Sequence, residues 1–536
     1  MRTTKAKATR VKVGLVLALA LLAALLAVGV ASAAPGDTDP TLRASAELRR
    51  SVEPAGILVH ERSLQRIAAA NANTRASGTP GYDASADYVA AKLRRAGYVV
   101  SRQSFPFPFF EVLSQSFSQT APQQRTFEPF DLSTNTGDYA VLTYSASGEV
   151  TDAPVVPTND IQIPPGPTEN SSNSGCEPGD FVPASQTEEQ VTLIQRGTCP
   201  FGTKAQNAQQ AGYDAAIIFN EGQQGRTDVV LGTLGEPGVV DIPVIGIGFE
   251  LGRELYQTQG ARVSLAIQTV SAMRNTSNVI ADTPQGRADR TVVVGAHLDS
   301  VAEGPGINDN GSGSATILEV ALQMSKLGIE PTNRVRFAFW GAEEFGLLGS
   351  EHYVESLSAR QLDRIALNLN FDMLGSPNYV RFVYDGDGSA TPDDPDDAGP
   401  AGSAEIERVF KRYFAAKGLR TEPTAFDGRS DYGPFIAEDI PAGGLFSGAE
   451  GIKTAREQRI YGGTAGEPYD SCYHQPCDDM TNLSVRSLDQ MSDGVAHATL
   501  TYANDEEIFV GPSAAAGARR SSGEVYDEYK GPEAIR

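Results

Sequence analysis

Thr291-Val292-Val293-Val294-Gly295-Ala296-His297-Leu298-Asp299 is the stretch that sets the architecture of this chain. Its first six residues are apolar, continuous and rich in β-branching, as in a strand buried on both faces of a parallel sheet. The run stops at two ionisable side chains, His297 and Asp299. In open α/β sheets, ligands bind at the carboxyl ends of the strands. A Gly/Asn-rich loop follows, Gly304 to Gly313 with Asp309 inside it, and then Ile317, Leu318, Val320, Ala321 and Met324 recur at helical spacing. Gly328 is the expected stop. A second apolar run, Val335 to Trp340, ends in Gly341-Ala342-Glu343-Glu344, and a third, Ile365 to Phe371, ends in Asp372. This alternation predicts an α/β fold with a mostly parallel, twisted central sheet flanked by helices. One His and several carboxylates then converge on one rim of it.

Outward from this core, the amino-terminal end carries Arg2, Lys5, Lys7, Arg10 and Lys12 before an uncharged run, Val13 to Val30, and Ala31-Ser32-Ala33. Positive flank, apolar run and small-residue site together read as a secretory signal peptide, 1–33, rather than an uncleaved anchor. No second apolar stretch reaches spanning length, so no stable membrane anchor is expected and the chain should be secreted to the extracellular side. Without residues 1–33 it holds 39 basic and 67 acidic residues, a net of −28. Such a chain repels nucleic acid and anionic lipid. About 500 residues, 40% apolar over the whole chain, are enough for more than one domain. A monomer is expected.

The four cysteines are Cys176, Cys199, Cys472 and Cys477. In an exported chain an even count favours disulfides, and proximity pairs Cys176 with Cys199 and Cys472 with Cys477. The rival, a zinc site of thiols, lacks any Cys-x-x-Cys pair.

Residues 34–50 read as a polar leader open to processing. Residues 51–130 read as the first part of the main domain, with a turn at Gly78-Thr79-Pro80-Gly81, a helix over Ser85–Ala96 and a strand over Tyr98–Phe105. Residues 131–271 change to short β-rich runs with Gly/Pro/Asn turns and contain no His. Within them, Leu193-Ile194-Gln195-Arg196-Gly197-Thr198-Cys199-Pro200-Phe201, the helix that follows and Ala215-Ala216-Ile217-Ile218 resemble a protease-associated domain, a small inserted α/β fold. The main domain resumes over 272–510. Its acidic stretch 385–403 contains Asp385, Asp387, Asp393, Asp394, Asp396 and Asp397, where a solvated loop is the plainer reading and a Ca2+ site the rival. Residues 511–536 form a polar tail, expected to be disordered.

His297 and Asp299 alone are a weak signal, but the chain has only five His, and His474 sits between two cysteines in Cys472-Tyr473-His474-Gln475-Pro476-Cys477. Taken together, Gly295 to Ser300, Gly306 to Gly313, Trp340 to Glu344, Asn370 to Met373 and Tyr473-His474 resemble the secreted co-catalytic di-zinc aminopeptidases, of the bacterial leucine aminopeptidase and aminopeptidase Y type. All five ligand positions are filled in that family's order. The resemblance implies that His297 and Asp372 hold one Zn2+, Glu344 and His474 the other, and that Asp309 bridges both; imidazole and carboxylate suit zinc. It makes Glu343 the general base toward a bridging water, Tyr473 a donor to the oxyanion, and Asp299 the acceptor that fixes the tautomer of His297. It also implies a cis peptide after Asp309. Arg429, in Gly428-Arg429-Ser430-Asp431-Tyr432, matches a segment that lines the cleft, although that family often has His where Tyr432 stands. Met373 suggests a pocket for large hydrophobic side chains.

The implied activity is release of N-terminal residues from peptides or protein N-termini by a zinc metallopeptidase. Rivals on the same fold are a carboxypeptidase, a glutaminyl cyclase and a non-catalytic binding protein. A carboxypeptidase needs a cation for the substrate carboxylate, and Arg429 is the candidate. A binding protein would show lost ligands, and none is lost. His60, His352 and His497 match no ligand position and are expected in packing or surface roles.

Overall fold

The computed structural model describes residues 39–131, 136–390 and 398–507. The expected signal peptide, the first part of the leader, the tail 511–536, and Asp393, Asp394, Asp396 and Asp397 lie outside these ranges. Among the described residues no helix is long and apolar enough to cross a membrane.

Fourteen strands are described: β1 (Val99–Ala121), β2 (Arg125–Phe127), β3 (Tyr139–Val141), β4 (Gly148–Pro157), β5 (Val191–Gln195), β6 (Ala215–Phe219), β7 (Val244–Ile247), β8 (Arg262–Asp282), β9 (Arg287–His297), β10 (Asn333–Trp340), β11 (Ile365–Asp372), β12 (Phe382–Tyr384), β13 (Glu422–Thr424) and β14 (Ala442–Phe446). They form one connected array in the order β13-β12-β14-β11-β9-β10-β8-β4-β5-β6-β7-β3, with β1 on β8 and β2 on β1. The centre is parallel: β9 lies between β10 and β11, and β11 pairs with β14. From Thr291 to His297 every residue of β9 is buried, as is all of β11. Continuous β-branched and aromatic runs are what a sheet covered on both faces requires. Helix Gly313–Lys326 covers one face through Ile317, Leu318, Val320, Ala321 and Met324, and Gly328 follows it at φ 65°.

Part of the stretch read as a leader is helical. From Pro40 onward it forms two short helices, Pro40–Ala44 and Ala46–Ser51, whose Leu42 and Leu48 are buried in the main core. Ser45 Oγ meets His497 Nδ1 at 2.8 Å, on the last helix, Val485–Asn504. Two leucines and a serine among charged residues look like a solvated tail until the partner helix is present.

The insert has its own cores, one including Leu193, Ile217, Phe219 and Ile245, the other Ile194, Ala205, Ile218 and Val244. No break separates it from the rest of the chain. The strand expected over Tyr98–Phe105 continues to Ala121, and its partner β8 passes straight through residue 271. These two strands form a long antiparallel ribbon shared by both halves. Part-way along, Phe105, Phe107 and Phe109 pack against Ala342, Phe345 and Leu348. Both disulfides are formed, Cys176 to Cys199 and Cys472 to Cys477.

Candidate metal centre

Because β9, β10 and β11 are parallel, their carboxyl ends share one edge. His297 is the last residue of β9 and Asp372 of β11, while Glu343 and Glu344 follow the end of β10. The loop Ile307–Ser312 brings Asp309 in beneath them, with a cis peptide between Asp309 and Asn310. The small disulfide loop brings His474 from the far side.

Two groups that could each hold a metal ion result, His297 with Asp309 and Asp372, and Asp309 with Glu344 and His474. His297 Nε2 lies 3.2 Å from Asp309 Oδ1 and 3.2 Å from Asp372 Oδ1. His474 Nε2 lies 3.2 Å from Asp309 Oδ2 and 3.0 Å from Glu344 Oε2. Asp309 therefore presents one oxygen to each group, as a bridging carboxylate must. A tetrahedral cation with bonds of about 2.0 Å holds its ligand atoms about 3.3 Å apart, close to every one of these separations. The other oxygen of Glu344, Oε1, is buried without a hydrogen-bond partner. Spacing, donor type and orphaned oxygen all fit two divalent ions.

The charges point the same way. Burial works to lower the pKa of His297, but Glu343, Asp372 and Asp309 lift it well above its usual value. Glu344 and Asp309 do the same for His474. Burial pushes Asp309 up, yet the two imidazoles bonded to it hold it below the carboxylate range. Burial raises Glu343 well above that range and Asp299 to about 7. The rim thus concentrates more negative charge than its two imidazoles can neutralise.

A model of peptidase family M28 matches residues 278–499, and a PA domain model matches 150–255. An aminopeptidase of Pseudomonas aeruginosa is 44% identical over 480 residues, covering 89% of this chain and 85% of that protein. The chain belongs to peptidase family M28. A probable leucine aminopeptidase 2 of Aspergillus oryzae is 39% identical over 442 residues, 80% of each chain. Among solved structures, a zinc aminopeptidase from Bacillus subtilis superposes with a TM-score of 0.56 at 25% identity, over 85% of this chain and 96% of that one.

In this M28 peptidase Glu343 and Glu344 diverge because Ala342, just before them, has φ 56°, a left-handed conformation costly for a residue with a Cβ. Glu344 turns to His474, while Glu343 Oε2 stays 3.8 Å from His297 Nε2. The expectation for Asp299 is modified: His297 Nδ1 lies 3.3 Å from the Asp299 backbone carbonyl and 3.8 Å from its carboxylate, which instead accepts from the Glu343 N–H at 3.3 Å. Tyr473 stacks on His474 with centroids 3.8 Å apart, and its hydroxyl accepts from Arg429 Nη2 at 3.2 Å. Arg429 also pairs with Glu450 at 2.7 Å. Met373 is buried at φ 53°, its N–H bonded to Asn310 Oδ1.

Sequence reasoning gave no role to three residues that lie at this site. Ser430 Oγ donates to Asp372 Oδ2 at 2.7 Å, holding that carboxylate from behind. Asp478 accepts from the N–H groups of Asn308 and Asp309 at 2.8 and 2.9 Å, fixing the backbone at Asp309. Asp431 is fully buried with both oxygens unpartnered, and burial raises its pKa to about 8. Their one sequence signal is adjacency, to Arg429 and to Cys477. Tyr432 turns away, bonding Asp427. Of the remaining His, His60 bonds Tyr88 and Glu319, His352 stacks on Phe105, and His497 stacks on Tyr413. Asp385 and Asp387 of the acidic stretch come together with Glu407 of the helix that follows it. Ala390 N–H and Ser389 already donate to Asp385, and Lys411 and Gly386 N–H to Glu407.

Proposed function

We propose that this metallo-aminopeptidase is secreted and works with two zinc ions, releasing the first residue of peptides and favouring large hydrophobic ones. The observation that carries this reading is Asp309, whose two oxygens each meet a separate imidazole at 3.2 Å. His297 and Asp372 would hold one ion and Glu344 and His474 the other. Zinc ions held there would supply Lewis acidity to the scissile carbonyl and to the attacking water. Glu343, buried beside the shared rim and a member of neither ligand group, takes a proton from the attacking water and returns it to the leaving amine. Tyr473, held by Arg429, donates to the developing oxyanion. The acidic rim receives the free amine of the substrate. The name of the Aspergillus relative supports the hydrophobic preference, and that of the Bacillus structure supports zinc. Two disulfides support an oxidising compartment.

The test is hydrolysis of leucyl-p-nitroanilide beside its N-acetylated form, with metal content measured before and after chelation. Cleavage of the free-amine substrate alone, lost with two zincs and restored by them, is the expected result. Cleavage of both substrates, or activity that persists in metal-free protein, would refute it.

A further inference from the structure

Arg75 lies in none of the ligand-bearing segments, yet it is fully buried beneath them. Its Nε donates to the Pro305 carbonyl at 2.8 Å, its Nη2 to Gly306 at 2.5 Å and its Nη1 to Leu298. Its own N–H donates to Ser300 Oγ at 3.0 Å, and Oγ1 of the preceding Thr74 to the Val301 carbonyl at 2.9 Å. These bonds hold both ends of the loop that leads from His297 to the Asp309 segment. Two residues further on, Ser77 Oγ accepts from the Ala342 N–H at 2.7 Å, and Ala342 leads directly into Glu343 and Glu344. One short turn therefore touches the approaches to His297, Asp309, Glu343 and Glu344.

A buried guanidinium is expensive where only volume is needed. Here the carboxylates of Glu61, Asp299, Asp478 and Glu344 supply the opposing field. Three carbonyls arranged around one planar fork also match arginine and not lysine, whose ammonium is a point donor on a flexible stem.

We propose that Thr74-Arg75-Ala76-Ser77 is a positioning bracket for the metal centre. Arg75 sets the distance between the ligands His297 and Asp309, and Ser77 sets the turn that separates Glu343 from Glu344. This rests on the two-metal reading above and goes beyond it, since neither residue touches a ligand side chain.

The test uses the full chain with Arg75→Met, Arg75→Lys and Ser77→Ala, measuring zinc affinity by competition with a chromogenic chelator, then kcat and KM. Groups behind metal ligands typically carry 10- to 100-fold of affinity, so Arg75→Met should weaken zinc by about that factor, with Arg75→Lys in between. Ser77→Ala should lower kcat about 10-fold at unchanged KM, as misplacement of a reacting group does. A role in folding alone would lower the melting temperature and leave zinc affinity and kcat of the folded protein at parental values; that result overturns the bracket. If Arg75→Met fails to fold, parental zinc affinity in Arg75→Lys or parental kcat in Ser77→Ala overturns it equally. A parent chain that binds no zinc would instead overturn the metal reading beneath it.

Discussion

Both halves of the molecule end parallel strands in buried ionisable groups, and they treat them in opposite ways. In the insert, Glu221 follows the end of β6, fully buried, and its oxygens accept from the N–H groups of Asn170, Ser171 and Ser172. Buried Lys204 donates to the Ser174 carbonyl. At the catalytic rim, Glu344 Oε1, Asp299 Oδ2 and both oxygens of Asp431 have no partner. Among the described residues no ligand group of the kind found at the rim lies in the insert. The insert is not free of unmet demand, since Asp160, just past β4, has both oxygens without a partner, but it belongs to no group of metal-ligating side chains. What distinguishes the rim is that its unpartnered carboxylates stand beside two imidazoles.

Substitutions can break that contrast. Asp309→Ala should have the largest effect: both zincs are lost together and activity falls to background, read by metal analysis and p-nitroanilide release. If one zinc stayed bound, the shared-carboxylate description would fail. Glu343→Gln should retain both zincs while kcat falls about 10²- to 10⁴-fold, the range for a removed general base. Loss of metal in that variant would make Glu343 a ligand rather than a base.

His497 asks whether the catalytic half also contains satisfied buried groups far from its rim. It bonds Ser45, stacks on Tyr413 and feels Arg49, Lys417 and Asp39, and burial depresses its pKa to about 4. The folded chain thus keeps it neutral while the unfolded chain protonates near pH 6.5. Stability is present above that pH and is lost as pH falls from 6.5 through 4, by about 3 kcal/mol at most. His497→Phe should flatten this portion of a melting profile. An unchanged profile would show that the imidazole is not held neutral. Smallest, Glu221→Gln should cost about 1–3 kcal/mol of stability with kcat unchanged. Reduced kcat in that variant would erase the distinction between the halves.

Much of the catalytic half was legible in the sequence because its signals are local. β9, β10 and β11 are uninterrupted apolar runs, and each potential ligand stands at or just past the end of a run or in a Gly-rich or cysteine-closed loop. What was not legible depends on distant chain. Leu42 and Leu48 gain meaning only against helix Val485–Asn504. Ser430, Asp478 and Arg75 act on ligand side chains or on backbone, and such contacts impose no spacing. The full length of β1 was hidden by Pro106 and Pro108, which ordinarily argue against a strand; they are tolerated there opposite Asn275 and Met273 of β8 because, among the described residues, no strand pairs with that segment on its other side.

That ribbon has a consequence for how such a chain could arise. β1 and β8 pair from Val99 opposite Asp282 to Ala121 opposite Arg262, with register shifts at Leu113 and Thr120, so the chain leaves the catalytic half and returns to it at adjacent points. To the peptidase, everything between is the tip of one hairpin. A module grafted there leaves the host's ends already side by side, and its length adds little to the closure entropy the host bears. Replacing it by a tight turn should leave the order of strands around the catalytic rim undisturbed.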